Sequence, residues 1–201
     1  MKKLLLSLLI MALGFSLSAQ KIKLVSGSLD FLQNAGSLKT AYDYSDMAVG
    51  KFDDEADYVQ KKVDEYNEKE AGRGDEWKEK WINDRQERFE PSFEELLNKY
   101  LGKEDITVGR HKDDAPYILL LKTTYTEPGF NIYITRKNAE INTKVIFKEK
   151  DNPDNVLAII EMDRCPGRSV GMSDYDTGSR IMEAYAKCGK ELGKYLRKKA
   201  F

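Results

Sequence analysis

The chain has 201 residues, of which 33 are basic, 34 are acidic and one is histidine, so its formal net charge is −1. A balance this close to zero provides no overall field that would attract nucleic acid or another polyanion. The length suits a domain that is large enough to bury a core without cross-links.

The first nineteen residues have the pattern of a secretory signal peptide. Lys2 and Lys3 precede an apolar run from Leu4 to Leu13, and small residues follow as far as Ala19. A basic, an apolar and a small-residue segment in this order are typical of a cleaved export signal. We predict a signal peptide at residues 1–19 and a mature chain at residues 20–201. Cleavage after Ser18, which fits the preference for small residues better, stays an alternative.

The mature chain is therefore predicted to be periplasmic or secreted. No cysteine follows the cleavage region, so we expect no lipid anchor, and no later apolar segment approaches the roughly 20 residues that span a membrane. Removing the signal leaves 31 basic against 34 acidic residues, a net charge of about −3. The end of the signal peptide, at Ala19 and Gln20, resembles that of signal peptides from the Bacteroidetes group.

The first segment of the mature chain is predicted to form a β-hairpin between Lys21 and Tyr44. Leu29 and Phe31 alternate with polar neighbours, and a second alternating run follows the turn-forming residues 34–36. Helical spacing of apolar residues then indicates helices over 58–66, 77–89 and 93–100, interrupted at 71–74 and at Pro91.

The second half of the chain is predicted to be an antiparallel meander followed by a helix. Residues 117–121 are apolar on both faces, which is typical of a central strand. Pro128 and Gly129 indicate a type II turn, and further strands are expected through Ile132, Ile134, residues 141–147 and residues 157–162. In the last helix, Gly189 and Gly193 are expected to allow close approach of a neighbouring backbone. The apolar stripe of this helix is Ile181, Tyr185, Cys188, Leu192 and Tyr195.

We predict from these elements a single α+β domain with two layers. A mostly antiparallel sheet, made of the hairpin and the meander, is covered by the central helices and the C-terminal helix. Cys165 at a strand end and Cys188 inside the next helix are expected to lie about 15 Å apart along that helix. A disulfide is therefore disfavoured, although the sequence leaves the pairing open.

The residues that could carry chemistry do not form a recognisable catalytic or metal-binding pattern. His111 lies in a polar loop, where a solvated imidazole is expected. The acidic residues between Asp43 and Asp57 lack the alternating ligands and glycine of a calcium loop. We expect no catalytic residue, no cofactor and no metal, and we do not expect an enzyme. Paired carboxylates from distant segments are the alternative.

Aromatic residues indicate a surface for binding instead. Most of them are expected to lie in the core because they recur at regular spacing. The segment at the end of the second strand is the exception, because its rings combine an apolar face with a polar tip next to acidic side chains. The predicted interaction surface is therefore Tyr42, Asp43, Tyr44 and Asp46.

The order of elements resembles that of small α/β domains of bacterial cell envelopes. These include the lipoprotein activators of penicillin-binding proteins and the N-terminal domain of the Tol-system protein. The segments that carry the resemblance are the hairpin, the strand at Tyr117, the Pro128-Gly129 turn and the last helix from Gly178 to Lys190. The resemblance implies a non-enzymatic interaction module in the periplasm or at the outer membrane. We therefore expect an accessory protein that docks on an envelope protein or cell-wall component, through a sheet edge or the predicted surface. The alternative is a carboxylate-dependent hydrolase of cell-wall or other polysaccharide.

Overall fold

The structure is a computed structural model that describes residues 20–169 and 171–201, apart from the side chain of Met172. The predicted signal peptide at residues 1–19 lies outside the described residues. The strands are β1 (Lys21–Gly27), β2 (Ser37–Asp43), β3 (Ala48–Val49), β4 (Thr107–Gly109), β5 (Tyr117–Glu127), β6 (Phe130–Asn131), β7 (Arg136–Lys137), β8 (Ala139–Glu149) and β9 (Val156–Gly167). The helices are α1 (Glu55–Asn67), α2 (Arg73–Asp84), α3 (Glu90–Leu101) and α4 (Thr177–Ala200).

The fold is α+β, as predicted, but its main sheet is mixed. Six of its seven strands follow the order β1-β9-β8-β5-β2-β4, and the seventh, β3, pairs with β5. The β1–β9, β9–β8 and β8–β5 pairs are antiparallel, whereas β2 runs parallel to both β4 and β5. The expectation of a mostly antiparallel sheet is wrong. The helical segment between β2 and β4 returns the chain to the end of the sheet where β2 begins, as a connection between parallel strands requires.

The predicted N-terminal hairpin is also wrong. β1 pairs with β9 at one side of the sheet, while β2 lies between β4 and β5 near the other. Residues Asp30–Asn34 form a 3₁₀ turn between these strands rather than part of a strand. Leu29, Leu32 and Ala35 are buried there, and their three-residue spacing matches the period of a 3₁₀ helix.

The antiparallel meander is confirmed for β5, β8 and β9, with one difference in the first connection. Ile132 and Ile134 do not join the main sheet, because β6 and β7 pair only with each other. The turn at Gly129 is present, with φ +63°, and a Cβ there would lie 2.4 Å from the carbonyl oxygen of Lys137. Glycine is needed at this position, where the hairpin leaves β5.

Two of the helices cover one face of the sheet. α4 packs on β8, β9 and α3, and the rings of Tyr42 in β2 and Phe93 in α3 lie 6.2 Å apart. The predicted stripe of α4 is confirmed in its first four residues, which are buried. Ile118 and Leu120, at the alternate positions of β5, are only half-buried on the opposite face. α1 and α2 pack on each other, and α1 contacts β3.

The two cysteines lie in contact, contrary to the separation expected from the sequence. A hydrogen bond with the Cys188 thiol, together with burial, raises the pKa of the Cys165 thiol. Both cysteines are free and buried. The sequence-based distance was wrong because α4 crosses back over β9, so its third turn lies above the strand end rather than far from it.

Candidate functional site

The predicted interaction surface is divided between two faces of the chain. Side chains alternate along a strand, so neighbouring residues of β2 point to opposite sides. Tyr42 and Tyr44 contact α3, whereas Asp43 and Asp46 both form salt bridges with Lys122 of β5. The structure therefore brings together the two tyrosines, and separately the two aspartates, but not all four residues.

Tyr42 belongs to a polar network in the interior. Its hydroxyl donates to Glu94 Oε1 at 2.9 Å, and the Thr40 hydroxyl donates to the same oxygen. Burial, and next the negative charge of Glu94, raise the pKa of Tyr42. The phenol therefore stays protonated and serves as a structural donor between β2 and α3.

Tyr44 lies at the edge of this network and faces a cavity. Its hydroxyl donates to Glu90 Oε1 at 3.3 Å, and burial raises its pKa. The Arg85 guanidinium lies 4.3 Å from the centre of the Tyr44 ring and also forms a salt bridge with Glu55. Trp81 Nε1 donates to the same Glu55 oxygen at 2.5 Å. These contacts fix the ring against the helices.

A cavity of about 440 Å³ opens beside the Tyr44 ring. We call it the Tyr44 pocket; its walls include Tyr44, Glu55, Val59, Lys78, Ile82 and Arg85. The first turn of α1 forms one wall and α2 with the following turn forms the other, so the pocket lies where the helical segment meets the end of β2. Ile82 is 45% exposed in this wall. The pocket therefore offers an apolar side chain next to an ion pair.

A second depression lies on the other side of the α1–α2 pair. This aromatic groove of about 360 Å³ is lined by Tyr58, Tyr66, Trp77, Phe130, Tyr175 and Arg180, among other residues. The Trp77 and Trp81 rings are stacked 5.5 Å apart, and Tyr58 packs against both. Of these three rings, Trp81 is buried, whereas Tyr58 and Trp77 are partly buried against the core. The expectation that the aromatic residues lie mainly in the core therefore holds for part of this cluster.

The buried Glu90 and the half-buried Glu94 of α3 belong to the interior network. Arg110 Nη1 lies 2.9 Å from Glu90 Oε2, and Arg110 Nε lies 3.8 Å from Glu94 Oε1. Burial raises the pKa of Glu90. Neither carboxylate lines the Tyr44 pocket or the aromatic groove. Among residues 20–169 and 171–201, no three His, Cys, Asp or Glu side chains are grouped so that they could hold a metal ion.

Sequence reasoning missed Arg180, which is 3% exposed on α4. Its guanidinium donates to the carbonyl oxygens of Pro128 at 3.3 Å and Gly129 at 3.2 Å, and to that of Asp174 at 2.5 Å. Its position next to Ile181, on the buried side of a strongly amphipathic helix, is the signal that could have identified it. Arg180 ties the base of the β6–β7 hairpin to α4.

No helix in the described part of the chain is both long and apolar enough to cross a membrane. No protein-family model and no curated protein matches the chain. The chain is similar to PelC from Paraburkholderia phytofirmans, solved as a dodecamer, at 12% identity and a TM-score of 0.37, over 87% of this chain and 98% of that chain. It is also similar to a Xanthomonas campestris protein of family DUF330, at 12% identity and a TM-score of 0.31, over 50% of this chain and 55% of that chain.

These findings correct the family resemblance inferred from the sequence. The similar solved structures named above are PelC and a DUF330 protein, and neither is an activator of penicillin-binding proteins or a Tol-system domain. The resemblance was wrong because it depended on the order of elements. That order included a β1–β2 hairpin which the sheet does not contain.

Proposed function

We propose that this protein is an exported accessory protein of the bacterial cell envelope that binds a peptide segment of a partner protein in the Tyr44 pocket. The observation that carries the proposal is the half-exposed Ile82 in the wall of a cavity of about 440 Å³. Cavities of this size are typical of binding sites, which combine an apolar lining with a few fixed polar groups.

The lining indicates the chemistry of the ligand. Val59 and Ile82 provide an apolar contact for one aliphatic or aromatic side chain. Gln60 and Lys78 provide polar groups at the rim for the backbone or a charged neighbour of that side chain. An extended peptide meets both requirements, because alternate residues point to opposite sides.

The walls are already fixed before a ligand binds. Glu55 connects α1 to both Arg85 and Trp81, and Arg85 packs on the Tyr44 ring. A preformed site loses less conformational entropy on binding than a flexible one. The export and envelope location in the proposal rest on the signal-peptide pattern of the first nineteen residues.

Site-specific photo-cross-linking tests the proposal. A benzophenone amino acid replaces Ile82, which is 45% exposed, in one variant and Val156 of β9, which is 42% exposed, in a control. Both variants are irradiated in producing cells. We expect a discrete cross-linked protein in the envelope fraction with the first variant and not with the control. An additional Tyr44→Ala substitution is expected to reduce that product. Recovery of the protein in the cytosol with its leader attached, or identical products from both positions, would refute the proposal.

A further inference from the structure

The β6–β7 hairpin exposes an unusual concentration of apolar side chains. Four of the nine exposed large apolar residues of the described chain lie within Phe130–Ile134. Ile132 is 59% exposed, and Tyr133 and Ile134 are each 87% exposed. A contiguous apolar patch of this kind typically marks a contact with a partner or a membrane. The feature requires an explanation that the Tyr44 pocket does not supply.

The base of the hairpin is tied to the body of the protein by hydrogen bonds. Arg180 binds the carbonyl oxygens of Pro128 and Gly129 from inside the fold, and Asn131 Nδ2 donates to Asp174 Oδ2 at 2.6 Å. At the tip, Ile132 N donates to Thr135 O at 3.1 Å. These contacts fix the base of the hairpin, while the apolar side chains of its tip are exposed and lie outside the core.

Basic side chains surround the hairpin. Arg136 and Lys137 form its return strand, and their side chains are 44% and 57% exposed. Lys51, Lys61 and Lys62 line a shallow depression together with Phe130. Three carboxylates pair with these cations: Glu127 with Lys137, Asp174 with Arg136, and Glu65 with Lys61 and Lys62. Five cations therefore accompany three anions around the base of the hairpin.

We propose that the Ile132–Ile134 tip inserts into the interface of an anionic lipid bilayer. The tip is a tight turn in which Ile134 N donates to Ile132 O at 2.8 Å, so its three exposed apolar side chains lie close together. Amphipathic elements that lie on membranes are buried to a depth of about 5–10 Å, with tyrosine favoured at headgroup level and basic residues facing anionic lipid. Lipids can adapt to the shape of a small exposed tip, whereas a protein partner would need a surface that matches it.

Vesicle flotation of the mature chain tests this inference. The probes are vesicles of phosphatidylcholine alone and of phosphatidylcholine with phosphatidylglycerol in a 3:1 ratio. We expect flotation with the anionic vesicles and at least a several-fold smaller bound fraction with the neutral ones or in high salt. The double variant I132S/I134S is expected to reduce binding to anionic vesicles by at least about tenfold.

A matched control separates insertion from a general loss of surface hydrophobicity. Val25 and Val156 are 43% and 42% exposed and lie on β1 and β9, away from the hairpin. The variant V25S/V156S is expected to bind like the parent, and thermal melting checks that both variants are folded. The inference is wrong if the parent binds no vesicles or if the hairpin variant binds as well as the control. It is also wrong if light scattering shows that the hairpin serves only to join two copies of the chain.

Discussion

Substitution of Gly189 by alanine tests how closely α4 approaches α3. A Cβ at position 189 would lie 2.2 Å from the carbonyl oxygen of Phe93, and 3.2 Å from Phe93 Cα. The nearest atoms belong to the backbone of α3, so no side-chain rotation can relieve the contact. The sequence-based expectation that this glycine permits close approach of a neighbouring backbone is confirmed.

The expected loss of stability follows from two opposing effects. Alanine favours a helix interior over glycine by about 1 kcal/mol. Against this, a carbon atom needs about 3.5 Å from its neighbour, so the helices must separate by roughly 1 Å. Overpacking of this kind costs about 1–3 kcal/mol. Because the neighbouring atoms are backbone, the cost should lie in the upper part of this range, at about 2–3 kcal/mol. After the helix-propensity gain is subtracted, we expect Gly189→Ala to lower the free energy of unfolding by about 1–2 kcal/mol, and the melting temperature by roughly 2–8 °C.

Urea denaturation and thermal melting, both followed by circular dichroism, measure the effect against two further variants. At Gly193 a Cβ would meet the Tyr100 side chain at 2.7 Å, whereas at Gly102 it would meet nothing within 4 Å. Gly102 already has φ −60°, so alanine there is expected to leave stability unchanged or raise it by up to about 1 kcal/mol. The expected order of stability is Gly102→Ala, then Gly193→Ala, then Gly189→Ala. If Gly189→Ala were as stable as Gly102→Ala, the described packing would be refuted.

Three further predictions concern ionisable groups. Burial raises the folded-state pKa of Glu90, so this side chain stabilises the fold most below the ordinary glutamate pKa, and its contribution declines as pH rises. The urea midpoint of Glu90→Gln should therefore increase relative to that of the parent between about pH 4 and 7. Parallel plots of the two midpoints against pH would contradict this. Asp176 Oδ2 accepts a hydrogen bond from Ser179 N at the start of α4. Loss of this cap in Asp176→Ala should lower the free energy of unfolding by about 1 kcal/mol, and Asp176→Asn should lower it less. Equal melting temperatures for the two variants would argue against the cap. Cys165 and Cys188 are buried, so maleimide should label them only as urea unfolds the chain; rapid labelling of the native protein would show that the two thiols are accessible.

Local periodicity was sufficient to predict the helices and the meander. In α4 the buried residues recur over six turns, and in β5 and β8 they alternate, so each pattern repeats often enough to be recognised. The position of β2 could not be predicted in this way. Its partners β4 and β5 lie more than sixty residues along the chain, and pairing over that distance depends on how the helical segment folds.

The candidate site was predictable only in part. Tyr44 was identified because it lies at a strand end, and it does face a cavity. Ile82 and Arg85 were not, because their significance comes from the packing of α2 beside α1 rather than from their neighbours in sequence. Ile132 and Ile134 matched a strand pattern, but their side chains are exposed since their hairpin pairs with no other strand.

The pairing of β1 with β9 has a consequence for biogenesis. The first strand to leave the ribosome must wait for one of the last before its backbone hydrogen bonds can form. A nascent chain that lacks residues 156–167 therefore keeps its amino-terminal segment unstructured and available to chaperones or to a translocation machinery. For the exported chain that we propose, this delay would protect against folding before translocation.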